Sequence, residues 1–200
     1  MYRFADARVR DLWESSPRKI VVCAHTAPFI DGLVVHRALD DLATPHVVYS
    51  RGLLCFAPSW CQEIVGAGGG FVSAETARLS ELTEFCRVIF PSGGTVNWKS
   101  GFYHIAKATG APVFVLGIDY GLRTAVVVVD SVLCPATGGS YDEIVAVAKT
   151  RLAQYAPFPL YAPLRVLFGY GDEALDIARW KLWGARCAII YACLRCNFFL

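Results

Sequence analysis

Five short apolar runs, rich in β-branched residues and spaced by stretches long enough for other elements, constrain this 200-residue chain more than any other feature. They fall at 19–24 (Lys-Ile-Val-Val-Cys-Ala), 46–49 (His-Val-Val-Tyr), 87–90 (Arg-Val-Ile-Phe), 112–118 (Pro-Val-Phe-Val-Leu-Gly-Ile) and 125–129 (Ala-Val-Val-Val-Val). Runs that do not alternate with polar residues suit strands covered on both faces, which is the situation inside a parallel sheet. The intervening stretches 31–42, 74–85 and 100–109 have helical length and spacing, with Gly or Pro near their ends. Strand and helix in alternation predict an α/β layer fold, a mostly parallel central sheet flanked by helices.

A further helix is predicted over 141–155, where Ser140 can cap the start and Ile144, Val147, Ala148 and Leu152 form a stripe. Pro157, Pro159 and Pro163 then break the pattern. The chain therefore divides into an α/β domain over 1–155, a Pro- and Gly-containing linker over 156–171 and an apolar helical tail over 172–200. A hydrophobic fraction of 55% against 18% charged residues implies that apolar surface beyond one core must be covered. Arg186 and Arg195 make 183–200 a poor membrane span. Trp180, Trp183, Tyr191, Phe198 and Phe199 with Arg179, Lys181, Arg186 and Arg195 suit an amphipathic helix lying in a membrane interface. A helix packed on the sheet accounts for the same residues, and both readings stand at this point.

The 19 Lys and Arg are interspersed with 17 Asp and Glu for a net charge of +2, so no basic stripe argues for nucleic acid. The eight cysteines sit mostly in apolar runs, as small hydrophobes do. They are read as reduced, hence a cytosolic or cytosol-facing chain. Cys193-x2-Cys196 lacks a second pair or a nearby His, so no metal is expected there. Residues 1–10 carry four charges and no apolar run, unlike a signal peptide.

Two segments follow strands directly and carry groups suited to chemistry. In His25-Thr-Ala-Pro-Phe-Ile-Asp31, Pro28 suits a first helical turn and places Asp31 near a helix N-terminus. A carboxylate there can hold an imidazole in one tautomer while its other nitrogen takes a proton from a hydroxyl. In Phe90-Pro-Ser-Gly-Gly-Thr95, glycines allow a tight turn, free amides at the next helix start suit an anion, and Lys99 adds charge. Each also fits a plain reading, a dipole-compensating Asp with a structural His and an ordinary strand-to-helix turn. The turn 66–70, which suits a loop beside a groove or a plain linker, the apolar segment 52–65 with Phe56, Trp60 and Ile64, which suits a tunnel lining or core packing, and Arg78 on the following helix complete the candidates. No Gly-x-Ser-x-Gly elbow surrounds Ser59 or Ser92, so a serine hydrolase is disfavoured.

Together these segments resemble the glycerolipid acyltransferase family that includes the 1-acylglycerol-3-phosphate acyltransferases. That family has a His-x4-Asp motif after a strand, a Gly-containing block, a Phe-Pro-Glu-Gly-Thr-Arg block and a final Val-Pro strand, and the four places occur here in that order. The run 98–106 (Trp-Lys-Ser-Gly-Phe-Tyr-His-Ile-Ala), leading through 110–120 to Asp119-Tyr120, is similar to the compact members. The likeness covers roughly 18–130. Five residues separate His25 from Asp31 where the family has four, Ser92-Gly93-Gly94-Thr95-Val96 replaces the Glu-Gly-Thr-Arg block, and Ser73-Ala74-Glu75 stands where an Arg is usual.

The resemblance implies a glycerol-3-phosphate acyltransferase-like fold with His25 as general base and Asp31 behind it. Ser92, Gly93, Gly94, Thr95, Lys99 and Arg78 would bind substrate. It implies no cofactor beyond an acyl-CoA or acyl carrier protein co-substrate, a lysophospholipid acceptor, and association with the cytosolic face of a membrane. A catalytically inactive lipid-binding relative is the alternative, motivated by the departures in the motifs.

Overall fold

The computed structural model describes residues 1–23, 30–50, 61–63, 69–91, 98–120 and 125–155. The elements in chain order are β1 (Tyr2–Phe4), α1 (Ala7–Ser15), β2 (Arg18–Cys23), α2 (Ile30–Asp41), β3 (Val47–Ser50), β4 (Cys61–Glu63), α3 (Gly69–Ser80), β5 (Phe85–Ile89), α4 (Gly101–Thr109), β6 (Val113–Tyr120), β7 (Ala125–Leu133) and α5 (Tyr141–Leu152). Seven strands form one sheet in the order β1-β7-β6-β2-β5-β3-β4. Every neighbouring pair is parallel except β6 and β7, which run antiparallel. The α/β class with a mostly parallel sheet is therefore observed.

β2 shows why unbroken apolar runs mark this sheet. Val21 and Cys23 face one layer while Ile20 and Val22 face the other, and all four are fully buried. The first layer is closed by α1 and α2 through Val9, Trp13, Val35, Ala38 and Leu39. The second is closed by α3, α4 and α5 through Leu79, Phe102, Ile105, Ala106, Ile144 and Ala148. The crossover from β2 to β3 proceeds toward the β4 edge, whereas those from β4 to β5 and from β5 to β6 proceed toward β1. Right-handed crossovers that reverse direction must change faces, which is why α2 lies opposite α3 and α4.

Local chemistry sets the helix ends. Asp6 accepts from the Val9 amide at 2.8 Å to start α1, and Ser140 and Glu143 cap α5 reciprocally. Gly110 ends α4 at φ 70, the left-handed conformation that favours glycine.

The helix expected over 74–85 is corrected: α3 spans Gly69–Ser80 and Phe85 already belongs to β5. The helix begins with a Gly pair that reads as a turn, and the spacing of Leu79, Leu82 and Phe85 imitates a continuing helical stripe. α5 ends at Leu152 rather than 155, and β7 extends to Leu133. β1 and β4, three residues each, precede or interrupt the expected pattern. Most of the 52–65 segment, the 156–171 linker and the 172–200 tail lie outside the described residues.

Candidate active site

β2 and β5 are adjacent and parallel, with Val22 opposite Ile89. Beyond their carboxyl ends the chain diverges, through α2 over one face and α4 over the other. Such a switch point is where open α/β sheets bind ligands. Both candidate segments attach there, 25–31 after β2 and 92–95 after β5. His25, Ser92, Gly93, Gly94 and Thr95 themselves lie outside the described residues; Asp31, Lys99 and Arg78 lie within them.

Asp31 sits in the first turn of α2 with its side chain fully buried. Unpaired amides and the helix dipole favour negative charge at that position. The Tyr120 hydroxyl donates to Asp31 Oδ1. Alternation along β6 puts Tyr120 on the same face as Phe114, Leu116 and Ile118, toward α2, and β6 borders β2. Burial, and then the neighbouring carboxylate and its hydrogen bond, push the Tyr120 phenol well above the usual tyrosine range. Burial raises the Cys23 thiol too, and Asp31 raises it further. Asp31 is thus held by a phenol that keeps its proton, beside a thiol that keeps its own. This fixes the carboxylate at the carboxyl edge of the central strand, six residues after His25.

Lys99 is exposed, and its backbone N–H donates to the Pro91 carbonyl at 3.0 Å. That bond ties the end of the β5 segment to the approach of α4, whose N-cap, Ser100, makes no side-chain capping bond. A lysine immediately before the start of a helix is chemistry suited to an anion.

Arg78 is placed differently. It occupies the last turn of α3, which leads to the start of β5 and so to the amino edge of the sheet. Its Nε donates to Glu75 Oε2 at 2.9 Å and its Nη2 to Glu75 Oε1 at 2.6 Å. Arg87 Nε reaches the same carboxylate at 3.4 Å, and the Tyr49 hydroxyl donates to it as well. Glu75, read from the sequence only as the end of a departed motif, is the hub of a buried ion network. The structure therefore brings Asp31 and Lys99 to the carboxyl edge and holds Arg78 elsewhere.

Tyr120, which donates to Asp31, is the candidate-site residue that residue-by-residue reading passes over. Its signal was present: an aromatic hydroxyl at the end of a buried strand, in phase with residues facing α2.

No family model matches the chain, and no curated protein matches it either. Among solved structures it is similar to the crystal structure of the 1-acyl-sn-glycerophosphate (LPA) acyltransferase, PlsC, from Thermotoga maritima, with a TM-score of 0.52 and 15% sequence identity. The match covers 76% of this chain and 69% of that one. At that identity the likeness is one of fold.

Proposed function

We propose that this chain is an acyltransferase that moves a fatty acyl group from acyl-CoA or acyl carrier protein to the hydroxyl of a lysophospholipid such as 1-acylglycerol-3-phosphate. The observation that carries the reading is the buried, Tyr120-held carboxylate of Asp31, at the carboxyl edge of β2 and just after His25, in a fold shared with an LPA acyltransferase.

In this reading Asp31 orients the His25 imidazole and stabilises its cation. His25 removes the acceptor hydroxyl proton as that oxygen attacks the thioester carbonyl, and the acyl carbon–sulfur bond breaks to release the thiol. Ser92, Gly93, Gly94 and Thr95 supply amides to the acceptor phosphate or the oxyanion, and Lys99 adds charge at the phosphate. Arg78 is committed to Glu75, so phosphate recognition rests on Lys99 and the backbone. The setting is a membrane surface on its cytosolic side, reached by the apolar 172–200 segment. No helix among the described residues is long and apolar enough to cross a membrane.

The test is mass spectrometry of lipids formed by the full chain from acyl-CoA, or acyl carrier protein, and a panel of lysolipids. Removing the base with His25→Ala should lower turnover by about 10²–10⁴-fold; unchanged turnover ends the proposal. The departures at 92–96 and the extra residue before Asp31 favour one second reading, a lipid-binding relative without chemistry. It predicts lysolipid binding and no new ester with any acceptor.

A further inference from the structure

We propose that His36, His46 and Asp40 form a divalent transition-metal site at the amino edge of the sheet, separate from the Asp31 region. His36 and Asp40 lie one turn apart in the second half of α2, and His46 immediately precedes β3. Asp31 lies in the first turn of the same helix; at about 1.5 Å per residue it is roughly 8 Å along the axis from His36 and roughly 14 Å from Asp40. The site is therefore independent of the acyl-transfer reading.

The geometry is that of two imidazoles turned toward each other. His36 Nδ1 lies 2.8 Å from His46 Nε2. The outer nitrogen of each ring is already engaged by an acceptor. His46 Nδ1 lies 2.8 Å from the Thr44 carbonyl, and His36 Nε2 lies 3.3 Å from Asp40 Oδ2. A carbonyl cannot donate, so His46 carries its proton on Nδ1 and points the Nε2 lone pair at His36. An ionised Asp40 likewise favours a proton on His36 Nε2, which leaves the Nδ1 lone pair facing His46. Two lone pairs at that separation repel unless a cation lies between them, either a shared proton or a metal ion.

The outer contacts favour a metal. Imidazole ligands are commonly braced through their second nitrogen by a carboxylate or a backbone carbonyl, and both braces are present here. Imidazole pairs suit Zn²⁺, Cu²⁺ and Ni²⁺. Ligand atoms of all three residues lie within 4.8 Å of one another. Asp40 is half exposed while His36 is 22% exposed, so water can complete the coordination. A tetrahedral ion with bonds of about 2.0–2.1 Å sets its nitrogens roughly 3.3 Å apart, so the rings need to open by about half an ångström. Small side-chain rotations supply that.

The test is calorimetric titration of the full chain with ZnCl₂ alone, in a Cys193→Ser/Cys196→Ser background that removes the closely spaced thiols. One saturable equivalent is expected. His36→Ala or His46→Ala should weaken it by more than about 100-fold, and Asp40→Asn, which removes only the outer brace, by about 10–100-fold. Should a histidine variant fail to fold, ¹⁵N spectra of the imidazoles in the parent chain decide, because Zn²⁺ must move the His36 Nδ1 and His46 Nε2 resonances. No saturable equivalent, equal affinity in folded histidine variants, or unmoved ring signals would overturn the site and leave a shared proton as the cation.

Discussion

Asp31 and Glu75 are buried acids on opposite faces of one sheet, and their surroundings differ in kind. Glu75 is clasped by Arg78 and Arg87 and receives the Tyr49 hydroxyl, so its charge is met by guanidinium groups within its own layer. Asp31 receives the Tyr120 hydroxyl at the strand edge, beside the Cys23 thiol and six residues after His25. A carboxylate locked between guanidiniums holds helix to strand. On the proposed reading, one at a sheet's carboxyl edge orients another group.

The largest expected effect lies on the Asp31 side. Asp31→Asn keeps the shape and can still accept from Tyr120, but loses the charge that steadies an imidazolium. Acyl transfer should fall by about 10²–10⁴-fold while the thermal midpoint moves little. The Glu75 side should behave in the opposite way. Glu75→Ala strands the buried Arg87, only 6% exposed, without its counter-ion, and a broken buried pair costs about 3–5 kcal/mol. Denaturant unfolding measures that loss, and kcat of the folded fraction should hold. A folded Asp31→Asn enzyme with full turnover, or a Glu75→Ala enzyme that is stable but slow, would break the comparison.

Two matched substitutions sharpen it, because each buried acid receives one tyrosine hydroxyl. Tyr120→Phe and Tyr49→Phe both remove a donor from a buried carboxylate, at a cost of about 1–3 kcal/mol. Tyr120→Phe should also lower kcat with KM nearly unchanged, since it frees the orientation of Asp31; Tyr49→Phe should change stability alone. Equal kinetic effects from the two would mean that Tyr120 is merely structural.

How far the sequence anticipated this contrast depends on the range of the interactions. β2, β5 and β6 were legible because burial on both faces leaves an unbroken apolar run, and Asp31 near a helix start was legible because Pro28 and the end of β2 bracket it. The partner of Asp31 was not, since Tyr120 lies 89 residues away and the contact depends on β6 settling beside β2. The Glu75 cluster was hidden for a different reason. Arg78 three residues after Glu75 reads as a solvated helical pair, and nothing local says that Arg87 points into the same layer. The resemblance assigns Arg78 to substrate, and the structure gives it to Glu75 instead. The three-residue strands β1 and β4 are too short for any period to register.

The smallest effect tests the charge around two buried thiols of the layer closed by α1 and α2. Burial raises the Cys23 pKa and the charge of Asp31 raises it further, whereas Lys19 and Arg87 act to lower that of Cys86. Burial outweighs the cations, and the Cys86 thiol is still pushed up to about 12 from an ordinary 9.0. A raised folded pKa means that the folded chain holds its proton more tightly than the unfolded one. That contribution is complete below pH 9 and is lost as pH climbs toward 12, by about 1.4 kcal/mol for each unit crossed. Burial displaces the pKa of Lys19 and Tyr155 as well, so the informative quantity is the difference between the parent chain and Cys86→Ala. That difference should be constant from pH 7 to 8 and shrink from pH 9 to 10 as the parent loses its advantage, read from urea midpoints at each pH. A difference that stays level through pH 10 would mean that water reaches Cys86 in the folded chain, and the layer that it shares with Cys23 would then be more open than its burial implies.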